Sequence, residues 1–305
     1  MFFRLALPSG ATVLALLMSL SVLVSFTVAA NQAGKWPGTV KGEYDFDQWP
    51  GGELQVHYSV PPAANAQTPI LVVIPGARRN ADTYRDHWHQ LAMQHEFIVL
   101  SIRCGFSSCP TEYEYNLGGA FSALGEKVAP ELQFFSAPEL VFRDFTERFG
   151  SAQQQFALYG HSAGGGFVHL YMLMRPDAPV SRAVSANGAF FTKANLQQDY
   201  PFGLKGTGIS KQDVNRWLTK PLTIMLGAED TGPRTKALSN SEAARRQGLS
   251  VFARGLAFYA RAMNWVSAYQ VDTAWQLHIV QNIGHNSRQM TPHALPLLFP
   301  QQKEK

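Results

Sequence analysis

The chain has 305 residues, 46% of them hydrophobic and 16% charged, with a formal net charge of +4. That composition supplies a sizeable core and excludes a disordered chain. The net charge is small and no run of five basic residues occurs, which excludes the basic footprint of a nucleic-acid-binding protein.

The first thirty residues stand apart from the rest. Arg4 is followed by an apolar stretch from Ala11, and the small residues Val28 and Ala30 precede Asn31. This is the layout of a secretory signal peptide cleaved after Ala30. The apolar stretch is also long enough to span a bilayer, so an uncleaved anchor is the other reading, and it is the only one that would tie the protein to a membrane. In both readings Arg4 keeps the N-terminus in the cytoplasm and the remainder is exported, so residues 1–30 are left out of the fold.

In the mature chain, "GELQVHYSV" (52–60), after a polar lead-in, alternates like a half-exposed strand. "PILVVIPG" (69–76) is a continuous β-branched run ending in Pro-Gly, suited to a strand buried on both faces. Helical spacing follows, with Tyr84, Trp88, Leu91 and Ala92 on one stripe, and then the apolar strand "FIVLSI" (97–102). His87 and His89 lie two apart, so on a helix they diverge and do not form a metal site.

Cys104 and Cys109 are the two cysteines of the chain and enclose only Gly-Phe-Ser-Ser. In an oxidising compartment a disulfide is expected, two free thiols or a redox pair being the alternative. Residues 103–136 are rich in glycine and aromatics, including Phe106, Tyr113, Tyr115, Phe121, Phe134 and Phe135. A loop of that length is expected to be a lid-like insertion, with Tyr113 and Tyr115 as candidate substrate-binding residues, unless the aromatics only pack it down.

Further on, a helix at "APELVFRDFTERFG", the strand "QFALYG", a helix at "GGFVHLYMLMR" and the strand "SRAVSANG" alternate. A short helix "KQDVNRWL", the strand "PLTIMLG" and a long helical stretch from Ser241 to about Tyr269, interrupted at Gly248 and Gly255, follow. "TAWQLHIVQNIG" is the last strand and "PHALPLLF" a short closing helix. Alternating strands and helices predict a mostly parallel sheet covered on both faces, so residues 31–305 are expected to form one α/β domain.

Gly160-His161-Ser162-Ala163-Gly164 is a G-x-S-x-G turn between a strand and a helix. Such a turn raises the serine hydroxyl at the sheet edge, and its glycines avoid collisions that side chains would cause. A serine needs a base and an orienting acid, and on the fold that carries such a turn these follow it in the order acid, then histidine. Asp230 lies just beyond the strand "LTIMLG", with Glu229 as a weaker alternative; His285 follows the last strand and a glycine and is preferred over His293. His169 and His278 fall within a helix and a strand and are read as structural. Two backbone donors should receive an oxyanion: the amide of Ala163, and that of either Ala77 or Arg78 in the turn after "ILVVIPG". Neither a phosphate-binding glycine loop nor a dinucleotide fingerprint occurs, so no cofactor is expected.

With these residues in place, the mature chain resembles the α/β-hydrolase superfamily, and more narrowly exported bacterial hydrolases similar to polyhydroxybutyrate depolymerases and feruloyl esterases. The likeness is carried by "PGARRNADTYRDHW", "EYNLGG", "GHSAGGGFVH", "SANGAFFT", "YPFGL", "LGAEDT", "RRQGLSVFARG" and "NIGHNSRQM". It implies the α/β-hydrolase fold, with Ser162 as nucleophile, Asp230 as acid and His285 as base, and it leaves the substrate open between a small and a polymeric ester. The superfamily often has His-Gly at the oxyanion turn, where this chain has Pro75-Gly76. Arg78 and Arg79 beside it are read either as contacts for an anionic substrate group or as solvated surface. The competing readings are an acyltransferase or amidase with the same triad, and a non-catalytic binding protein on the same fold.

Overall fold

The computed structural model describes residues 40–233 and 235–300; the expected signal segment, residues 1–30, lies outside them. The strands are β1 (Lys41–Phe46), β2 (Leu54–Ser59), β3 (Ile70–Ile74), β4 (Ile98–Cys104), β5 (Phe156–His161), β6 (Val180–Ala186), β7 (Leu222–Gly227) and β8 (Gln276–Val280). The helices are α1 (Ala81–His95), α2 (Ala137–Phe149), α3 (Ala163–Met174), α4 (Lys211–Leu218), α5 (Glu242–Arg245), α6 (Val251–Tyr269) and α7 (Ser287–Leu298). No helix among the described residues is long and apolar enough to cross a membrane.

The strands form one sheet in the order β1-β2-β4-β3-β5-β6-β7-β8. The β1–β2 and β2–β4 pairs are antiparallel, and the remaining pairs are parallel. Period-two alternation divides the central strands between two cores. Leu71 and Val73 of β3 pack with Trp88 of α1 and Met290 and Leu295 of α7. Val72 and Ile74 join Phe167 of α3, Trp217 of α4 and Phe258 of α6 on the other face. Strands clothed on both sides in this way read as unbroken apolar runs.

The register decides where the loops emerge. Ile74 lies opposite Gly160, so the turns after β3 and β5 leave the sheet side by side. Gly227 lies opposite Val280, which brings the loops after β7 and β8 to the same edge. That is the carboxyl edge of a parallel sheet, where ligands of open α/β folds bind.

Three local expectations need correction. The polar lead-in contains β1, an edge strand of which Phe46 alone is buried, so it carries no apolar run. The long helical stretch breaks at Gly248 (φ +153°), between α5 and α6, while Gly255 lies inside α6. A Cβ at Gly255 would stand 2.3 Å from Leu226 Cδ2, so glycine there lets α6 approach β7. The closing helix begins at Ser287, well before "PHALPLLF", and runs through Pro292 and Pro296.

Candidate active site

At the end of β5 the chain reverses into α3 through Ser162, whose backbone is left-handed (φ 60°, ψ −114°). A non-glycine residue in that region is strained and is held there by its surroundings. Both flanking glycines are required by contact. A Cβ on Gly160 would stand 2.1 Å from the Gly164 carbonyl oxygen, and one on Gly164 would stand 2.0 Å from that of Ile74. The tight turn lifts the Ser162 hydroxyl to the sheet edge, where it is half-buried.

There it meets His285, whose Nε2 lies 2.9 Å from Ser162 Oγ. His285 Nδ1 lies 2.5 Å from Asp230 Oδ2. A carboxylate oxygen accepts, so Nδ1 carries the imidazole proton and Nε2 is left to accept from the serine hydroxyl. Asp230 is 2% exposed, while Glu229 beside it is exposed, as is His293 on α7. The structure brings Ser162, Asp230 and His285 within hydrogen-bond distance in a line, and neither Glu229 nor His293 lies in it.

Asn187, at the end of β6, is a residue the sequence reading did not single out. It is fully buried with φ 46°. Its Oδ1 accepts from Gly227 N at 2.8 Å and its Nδ2 donates to Gly284 O at 3.1 Å. One side chain therefore ties the strand leading to Asp230 to the residue just before His285. The "SANG" stretch contained the signal, a polar residue directly after an apolar strand.

His161 is buried beneath His285, the two ring centroids 4.7 Å apart. Its Nδ1 lies 3.0 Å from Tyr84 Oη. Burial pushes the Tyr84 phenol up to about 12, so it keeps its proton at neutral pH. His169, by contrast, is wholly buried away from the site. Its Nδ1 donates to Gly165 O and its Nε2 accepts from Thr192 N, and burial pushes its pKa down to about 3.

The amides of Ala163, Ala77 and Arg78 have no acceptor among the described residues. Ala163 opens α3, where free amides and the helix dipole favour negative charge. The turn after β3 is closed by Arg79 N donating to Gly76 O at 2.8 Å. It passes close to the serine, since a Cβ on Gly76 would stand 3.5 Å from Ser162 Cβ.

Two expectations about the neighbouring segment change. Tyr115 is fully buried and donates from Oη to Pro75 O at 2.9 Å, stacked on Phe134, so it supports the turn instead of touching a substrate. Arg79 is 4% exposed, so it is not a solvated surface arginine. Tyr113 is half-buried against the core, and Arg78 is exposed. Phe121, Phe134 and Phe135 are buried, so most aromatics of residues 103–136 pack the segment down. Cys104 and Cys109 form a disulfide. His87 and His89 point apart, to Ser287 Oγ at 3.2 Å and Ser59 Oγ at 2.7 Å.

No protein-family model and no curated protein sequence matches the chain. Among solved structures it is similar to poly(aspartic acid) hydrolase-1 from Sphingomonas sp. KT-1, with a TM-score of 0.82 and 37% identity over 85% of this chain and 98% of that one. The chain belongs to the α/β-hydrolase superfamily. A second α/β-hydrolase like it is a poly(3-hydroxybutyrate) depolymerase from Bordetella parapertussis, with a TM-score of 0.80 and 26% identity over 87% and 91% of the two chains. An S-formylglutathione hydrolase from Agrobacterium tumefaciens shares the α/β-hydrolase fold with a TM-score of 0.55, at 15% identity over 86% and 95% of the two chains. All three of these α/β-hydrolase neighbours are hydrolases.

Proposed function

We propose that this α/β-hydrolase is an exported serine hydrolase that cleaves a carboxylic ester through an acyl-enzyme. The observation carrying this reading is the continuous line from Ser162 Oγ through His285 to Asp230, with separations of 2.9 and 2.5 Å. Ser162 attacks the ester carbonyl carbon while its proton passes to His285 Nε2. Asp230 accepts from Nδ1 throughout and stabilises the imidazolium. The carbonyl oxygen, now an oxyanion, is received by the amide of Ala163 and by that of Ala77 or Arg78. Collapse of the intermediate breaks the bond to the alcohol, which takes the proton from His285 as it leaves. Water then repeats the sequence on the acyl-serine and releases the acid. Export is supported by the layout of residues 1–30 and by the Cys104–Cys109 disulfide; N-terminal sequencing of protein recovered outside the cytoplasm should begin at Asn31.

A polymeric substrate is favoured because the two most similar structures above are both named for polymer hydrolysis. The first of them is named for poly(aspartic acid), whose units are joined by amides, so amide cleavage by the same three residues is the second reading. Purified protein should be assayed on p-nitrophenyl esters of graded length, poly(3-hydroxybutyrate) and poly(aspartic acid), with released acid, amine and chain length measured. Turnover of esters is the expected result. Shortening of the polyamide with no hydrolysis of any ester would replace the ester reading with the amidase one.

A further inference from the structure

We propose that Arg79 is a positioning residue: clamped between Phe106 and Tyr115, it holds the turn whose amides receive the oxyanion. This role rests on the serine-hydrolase reading above. The Arg79 guanidinium carbon lies 3.9 Å from the ring centroid of Phe106 and 4.6 Å from that of Tyr115, so the cation is sandwiched between two aromatic faces. Its hydrogen bond runs from Nη2 to Thr111 O at 3.4 Å, Nε and Nη1 are buried without a hydrogen-bond partner among the described residues, and Glu114 attracts the cation only from beyond hydrogen-bond reach. The two ring faces thus help to compensate this buried cation for lost water.

The clamp acts at both ends of the turn. Tyr115 lies under Arg79 and also donates to Pro75 O at 2.9 Å. Arg79 itself has φ 58°, a left-handed backbone that a non-glycine residue adopts only when held, and its amide closes the turn onto Gly76 O. Ala77 and Arg78 lie between these two pinned points, with amides that have no acceptor among the described residues. Donors fixed before reaction stabilise developing charge without reorganisation, and small displacements of them are costly.

The second face of the clamp comes from the disulfide ring. Phe106 lies within the loop closed by Cys104 and Cys109, which is further tied down by Cys109 N to Gly105 O at 2.8 Å and by Ser108 Oγ to Glu53 O at 2.9 Å. Phe106 is 63% exposed, so its outer surface contributes little to the core while its inner face covers Arg79. The disulfide thereby acquires a mechanistic role, that of keeping Phe106 in place over the arginine.

The test compares the parent with Phe106→Ala, Phe106→Trp and the double variant Cys104→Ser, Cys109→Ser. The readouts are kcat and KM on p-nitrophenyl butyrate, the rate of labelling by a fluorophosphonate, and the melting temperature. Phe106→Ala should lower kcat and the labelling rate about tenfold with KM changed less than about twofold, as expected for donors that act in the transition state. Phe106→Trp, which restores a face to the cation, should return kcat to near the parent value, and the cysteine variant should follow Phe106→Ala. A parent kcat and labelling rate in Phe106→Ala, a loss confined to KM, or equal impairment of the Ala and Trp variants would each overturn the proposal alone. A parent that neither turns over ester nor labels at Ser162 would overturn the serine-hydrolase reading, and this proposal with it.

Discussion

Gly164 lies directly under the carbonyl of Ile74, and a Cβ placed on it would stand 2.0 Å from that oxygen. The closeness is what lets β5 and α3 meet beside the turn after β3, and it explains in space what the glycine spacing around Ser162 suggests in sequence. Gly164→Ala should therefore cost about 1–3 kcal/mol through forced backbone movement and should nearly abolish fluorophosphonate labelling. Gly166→Ala is the control, because its Cβ would meet nothing closer than 4.0 Å. Denaturant melts and labelling of the two variants should differ sharply; equal behaviour would show that the close approach does not constrain the turn.

Asn187→Ala removes the two hydrogen bonds that join Gly227 to Gly284. The expected loss is about 2–3 kcal/mol, since buried backbone partners are left unmade. The loop carrying His285 is also freed, so kcat should fall about tenfold or more beyond what the lowered stability explains. Kinetics well below the melting transition separate the two effects. An unchanged kcat would mean that His285 is held by other contacts.

The fold was legible wherever burial on both sides of the sheet left continuous apolar runs, as in "ILVVI" and "FALYG". Ser162 and Asp230 were legible for the same reason, since each follows such a strand. His285 follows the edge strand β8, of which Val280 alone is buried, and its place was read from the glycine after the last strand and from parallel strands delivering their ends to one edge. β1 was not, because an edge strand with one buried residue has no apolar pattern to read. The true environment of Tyr115 and Arg79 was not legible either. Both lie in loops, where neighbours far apart in sequence decide burial, and an arginine between two rings carries no local signature. Asn187 reads as an ordinary turn residue until its two partners, at the end of β7 and in the loop after β8, are seen.

His169 predicts a pH dependence of stability. Burial holds its folded pKa at about 3, below the ordinary 6.5. In that window the unfolded chain binds the proton and the folded protein does not, so stability rises with pH. The contribution is present in full above pH 6.5 and is lost as pH falls toward 3. His57, His87, His89 and His278 are lowered chiefly by burial too and add in the same direction. His169→Gln should flatten the stability profile over this range. Profiles of equal slope for parent and variant would contradict the assignment.

The central claim is that Ser162 and His285 act as one chemical unit oriented by Asp230. It is tested most directly by a kinetic cycle on Ser162→Ala, His285→Ala and their combination, with fluorophosphonate labelling of each protein. Each single change should lower kcat on the order of 10^4-fold or more, and the double change should cost little beyond either. Asp230→Asn should cost somewhat less, since it spoils the orientation and charge stabilisation of the imidazole without removing it. The probe should label the parent and not Ser162→Ala. Hydrolysis surviving in Ser162→Ala, or single losses that multiply in the double variant, would contradict the account.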